Sequence, residues 1–142
     1  MGHSITYFRG VGFTARDWKL EVWLHLLVRE IDQMPQSPGW LAAARNYWHE
    51  QAVLAVNGCI DPNLDALLTD DDRLALLRRL AQRIYSKLLQ FGERMPRDFL
   101  NGLCDLPTES QYSQDVETEA FLKCGRALLK LLDGKMTAHE VA

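Results

Sequence analysis

The sequence predicts an all-α fold: an irregular antiparallel bundle of four long helices with one or two short ones, preceded by an extended arm over 1–13. Three observations carry that expectation. Apolar residues recur at steps of three and four in four separate stretches, the spacing of one buried helix face. Proline, glycine and capping residues punctuate those stretches. Beyond the first dozen residues no segment alternates as a half-buried strand does, and the short connections favour antiparallel neighbours. At 142 residues the chain has the size of a single domain. Chains of this length hide roughly 68–70% of their unfolded surface, enough for a real core. A hydrophobic fraction of 47% with 25% charged residues excludes disorder as the dominant state.

The arm contains Tyr7, Phe8 and Phe13 among Gly10 and Gly12 and reads as extended chain or a short strand packed on the bundle. Thr14-Ala15-Arg16-Asp17 then has the form of a capping box opening the first helix. Leu20, Leu24, Leu27 and Ile31 form its stripe, Trp23 and Val28 widen it, and Pro35 and Pro38 close it. Ser37-Pro38 gives the cap-then-proline start of the second helix, whose inner face is Leu41, Ala44, Trp48, Ala52 and Ala55, with Asn57-Gly58 as its stop. Asp61-Pro62 repeats the start signal before a short helix with Leu64, Leu67 and Leu68. After three aspartates, Leu74, Leu77, Ala81, Ile84, Leu88 and Phe91 mark the strongest periodicity, ended by Gly92. Met95-Pro96 opens another short helix with Phe99, Leu100 and Leu103 inward. A polar loop over 105–114 leads to the last long helix, capped by Ser113 with Val116-Glu117 and striped by Phe121, Cys124, Leu128 and Leu131. Asp133-Gly134 ends it, and the tail over 135–142 is expected to fray.

A net charge of −3 and a pI near 5.8 argue against nucleic-acid binding, which needs clustered Lys and Arg. Arg73, Arg78, Arg79, Arg83 and Lys87 lie at helical spacing and read as the solvated side of an amphipathic helix. Cys59, Cys104 and Cys124 are dispersed and odd in number, which points to a reducing, cytoplasmic setting rather than a disulfide framework. No apolar run approaches a membrane span and none reads as a signal peptide. Met1 to Thr6 fits the loose myristoylation pattern, although a single acyl chain anchors weakly and Met1-Gly2-His3 equally reads as a cloning remnant.

Catalytic signatures are missing. There is no G-x-S-x-G, no H-E-x-x-H and no Glu-x-x-His, and Gly10-Val11-Gly12 is only a fragment of a dinucleotide loop. The sequence implies no cofactor and no metal. Glu21 and His25, four apart, share a helix face, while His49-Glu50 diverge and His139-Glu140 fall in the tail. What remains is surface. Asp61, Asp65, Asp70, Asp71 and Asp72 put five acids within twelve residues, more than two helix starts require, and Glu109, Asp115, Glu117 and Glu119 form a second acidic stretch. Trp18, Trp40 and Tyr47 sit off the main stripes, and exposed aromatics of this kind anchor interfaces. These features lead to a non-enzymatic protein-binding module, in its concrete form an inhibitor or immunity protein that neutralises a basic bacterial toxin or enzyme through an acidic helical surface. The bland reading of the same acids is an ordinary solubilising surface. Two rivals stand beside it. One is a small helical enzyme or ligand- or metal-binding bundle using Glu21, His25 or His49 in a buried pocket. The other is a homodimer joined through its aromatic surface.

Overall fold

The computed structural model describes residues 2–54 and 58–142, so the expectations for Ala55 and Asn57 lie outside the described residues. The all-α expectation is overturned. Helices dominate, but among the described residues five strands form two small sheets beside them. The arm is a hairpin, β1 (His3–Phe8) paired antiparallel with β2 (Val11–Arg16). Arg9 and Gly10 both have positive φ, 53° and 84°, the signature of the tight turns whose twist matches a hairpin. Tyr7 faces Gly12 across the pair, and a Cβ at Gly12 would lie 2.4 Å from the Thr6 carbonyl oxygen, so only glycine fits. The hairpin escapes pattern reading because its polarity is inverted. Ser4 and Thr6 point inward with Phe8, whereas Ile5 and Tyr7 point out, 37% and 53% exposed. Ser4 tolerates burial because its hydroxyl donates to Asp17 Oδ1 (2.5 Å) and accepts from the Ile60 N–H (3.0 Å).

The segment after Lys135 does not fray. Glu140–Val141 adds a parallel strand to β2, the Ala142 N–H donates to the Thr14 carbonyl (2.8 Å), and Met136 and Ala142 are buried. In chain order the other two strands, β3 (Arg94–Met95) and β4 (Val116–Glu117), precede this strand, β5, and form the second sheet.

Among the described residues six α-helices make up most of the rest: α1 (Asp17–Asp32), α2 (Gly39–Val53), α3 (Leu64–Leu67), α4 (Asp71–Leu89), α5 (Arg97–Cys104) and α6 (Thr118–Leu132). Among the described residues of the predicted stripes, the long-helix positions lie inside except Phe91, which is half-buried. Their starts differ from expectation. Thr14 belongs to β2, and Asp17, rather than closing a capping box, accepts from Ser4 and from the Gly58 N–H (2.8 Å), tying the hairpin to the loop after α2. Pro38, not Ser37, is the cap of α2, and Glu117 rather than Ser113 precedes α6. Asn63 precedes α3, with Asp61 Oδ1 accepting from the Asn63 N–H (2.8 Å). Asp70 does cap α4, its carboxylate accepting from the Arg73 N–H at 2.8 Å.

Helix α1 is the centre of the molecule, packed on α2, α4, α5 and α6. Trp23 reaches α6, donating to the Phe121 carbonyl (2.9 Å) above Gly125, where a Cβ would sit 2.5 Å from the indole. Trp48 of α2 donates to the Pro62 carbonyl (2.8 Å), so both core indoles have the partner that buried N–H groups require. Glu30 faces α4, where Lys87 Nζ reaches its two oxygens at 3.1 and 2.9 Å and Arg83 approaches at 3.4 Å. Among the described residues no helix is long and apolar enough to cross a membrane.

Candidate functional site

With neighbours on so many sides, α1 leaves one strip uncovered. Trp18, Glu21, His25 and Asp32 lie on it at helical steps, and the walls on either side come from different elements. One wall is α2, through Arg45, His49 and Val53, again four residues apart. The other is the end of α5 and the loop that follows, Gly102 to Pro107. Between them lies a cleft of about 720 Å³.

His25 is one of the residues that line this cleft. The residue is 6% exposed, and its Nε2 has no hydrogen-bond partner among the described residues. Its ring stands edge-on to His49, with centroids 6.3 Å apart. Burial, and secondarily the charge of His49, hold its pKa below the ordinary 6.5, which favours a neutral imidazole. One turn back, Glu21 shows the opposite shift. Burial first and Asp17 second raise its carboxyl above 4.5. Burial, aided by Glu21, pushes the Cys104 thiol up to about 12, so it is neither a thiolate nor a ready nucleophile. Tyr112 is raised for the same reason, its burial. At the far end Arg45 grips Asp32 with two bonds of 2.9 Å, and that contact lowers the Asp32 carboxyl pKa.

Perturbed titratable groups gathered in a concave site are the usual physical marks of a binding or catalytic centre. Here the cleft offers hydrogen-bonding groups and proton carriers without an activated nucleophile. Among the described residues, no three His, Cys, Asp or Glu side chains are placed to hold a metal ion.

Apart from Trp18, the residues singled out for partner binding fall elsewhere, and most are engaged locally. Asp65 Oδ1 accepts from the Arg9 N–H (2.9 Å), Asp61 closes a turn onto Asn63, and Asp70 caps α4. Asp71 and Asp72 are exposed and make no side-chain hydrogen bond or ion pair among the described residues. Trp40 lies under the Arg73 guanidinium, 5.1 Å from its ring centre, and the Tyr47 hydroxyl donates to the Asp61 carbonyl (2.8 Å). Trp18 packs edge-on against Phe121 at 5.5 Å and alone of the eight borders the uncovered strip of α1. Glu21, His25 and His49, named only for the rival reading, are the ones brought together. Asp32, Arg45 and Cys104 were not anticipated, since nothing local in the sequence pairs α1 with α2 or with the end of α5. Compared with known protein families, curated proteins and solved structures, the chain matches none.

Proposed function

We propose that this is a binding protein whose ligand, a small organic molecule, occupies the cleft along α1. The observation that carries this reading is the gathering in one cleft of Glu21 and His25, whose pKa values burial shifts in opposite directions, with His49 beside them. Perturbed polar groups converging on a concave, partly apolar wall are the usual make-up of a small-molecule site. Glu21 and His49 give hydrogen-bonding capacity, while Val28, Val53 and Leu103 give an apolar lining.

The test uses Gly102, which lies on the cleft wall and has nothing within 4 Å of a built Cβ. Gly102→Trp therefore adds an indole at the cleft wall without disturbing the core. A chemically mixed set of neutral, cationic and anionic compounds is screened against both proteins by ligand-observed NMR. Compounds that bind the wild type and are lost in Gly102→Trp support the reading. A screen in which no binder responds to the substitution overturns it.

A second reading keeps the acidic surface, and the exposed, unpaired Asp71 and Asp72 favour it. In that case the chain is an inhibitor or immunity protein, docking a basic toxin or enzyme at the start of α4. Asp71→Asn with Asp72→Asn then weakens capture of the basic partner and flattens its salt dependence. Unchanged binding at low salt removes that surface.

A further inference from the structure

The cleft does not stop at Glu21. A depression of about 660 Å³ shares Glu21, Val53 and Leu106 with it and is walled by Trp18, Tyr112 and Val116. Beyond these, a third hollow of about 650 Å³ shares Arg16, Trp18, Tyr112 and Val116 and adds Lys19 and Arg94. The three form one trough along α1. From Arg16 to His25 it spans nine residue steps, roughly 13 Å of helix axis.

The two ends of the trough differ in charge. Arg16, Lys19 and Arg94 come from the end of β2, the first turn of α1 and β3, and none makes an ion pair among the described residues. Lys19 lies 5.7 Å over the Trp18 ring, and Arg94 donates to the Asp115 backbone carbonyl (3.1 Å). Two acids share that rim. Asp115 is turned to the Arg97 N–H (3.0 Å), and Glu117 is exposed at the start of α6. Glu117 is also the cross-strand partner of Arg94, so the two acids offset part of this charge and the three cations leave the rim net positive beside an aromatic wall. Guanidinium groups there match a carboxylate geometrically.

We propose that the ligand of this trough is an elongated organic carboxylate, its anionic head among Arg16, Lys19 and Arg94, its apolar body along Trp18 and Tyr112, and its far end at His25. The inference rests on the cleft being the binding site, and the two ideas fail differently. Decanoate and decanol share an apolar chain and differ in the head, and their binding is compared by isothermal titration calorimetry at low salt. Decanoate is expected to bind at least about tenfold more tightly, the effect of one charge-assisted contact. Arg16→Gln with Lys19→Gln brings decanoate down to the decanol level and leaves decanol unchanged. Arg16→Lys, which keeps the charge, retains most of the preference, and Gly102→Trp weakens decanoate because its chain end reaches that wall. Equal affinity for the two heads, both lost in Gly102→Trp, overturns the carboxylate and leaves the cleft standing. Decanoate binding that ignores Gly102→Trp confines the anion to the rim and overturns the spanning ligand. No binding of decanoate overturns the proposal outright.

Discussion

Helix α1 buries two polar side chains five residues apart and treats them in opposite ways. Glu30, on the α4 side, is 5% exposed and has Lys87 on both oxygens with Arg83 behind. His25, between α2 and the end of α5, is 6% exposed and leaves Nε2 without a partner among the described residues. Both groups lost hydration on burial, the charged Glu30 far more than the neutral His25. Only one recovers it within the chain. A satisfied buried charge fixes how two helices meet, whereas an unsatisfied buried nitrogen holds nothing together within the described residues.

The contrast breaks first at Lys87. Lys87→Met strands Glu30 in the interior with only the 3.4 Å contact to Arg83, and a loss of about 2–3 kcal/mol is expected in urea unfolding. Glu30→Met should cost less than about 1 kcal/mol, because Lys87 and Arg83 are half exposed and turn to water. Equal costs for the two substitutions would mean that Glu30 is not the dependent partner. His25→Leu reverses the sign. Deleting an orphaned polar atom is expected to stabilise the fold by about 1 kcal/mol while abolishing ligand binding in the cleft. A loss of stability instead would show that Nε2 is satisfied and that the two sites are alike.

Acidity sharpens the same comparison. The folded pKa of His25 lies below its ordinary 6.5, so the unfolded chain takes the proton first. Its stabilising contribution is complete above about 6.5 and is lost as the pH falls through the window beneath. Glu21 runs the other way. Its folded pKa lies above 4.5, and its contribution is present below that value and lost as the pH rises through the folded one. Urea midpoints measured from neutral to acidic pH should therefore decline less steeply in His25→Leu and more steeply in Glu21→Gln. Parallel curves for all three proteins would place both groups in ordinary solvent. The smallest effect belongs to the exposed acids. Asp71→Asn with Asp72→Asn removes only charge from the first turn of α4, about 0.3–1 kcal/mol, visible as a small shift in urea midpoint that salt suppresses.

Legibility in the sequence followed the same division between local and distant causes. Leu20, Leu24, Leu27 and Ile31 announce α1 because a helix face repeats within a few residues, and all four are buried. The strand His3–Phe8 hides because the partners that let Ser4 face inward, Asp17 and Ile60, lie 13 and 56 residues away. Val141 adds too short a strand to carry a pattern of its own. The site divides likewise. Glu21 and His25 share a face by spacing alone, but His49, Arg45 and Cys104 join them only through packing between helices. The five aspartates looked like one surface in sequence, yet three of them serve a turn, the Arg9 backbone and a cap.

The third strand of the larger sheet sets an order of events during synthesis. Thr14 meets His139 across 125 residues, so β2 cannot receive β5 until nearly the whole chain described here has been made. At translation rates of about 5–20 residues per second, the nascent hairpin waits roughly 6–25 s with one edge of β2 unpaired. An open strand edge recruits any neighbouring strand, including the same hairpin on an adjacent ribosome. The outward Ile5 and Tyr7 would add apolar surface to such a contact.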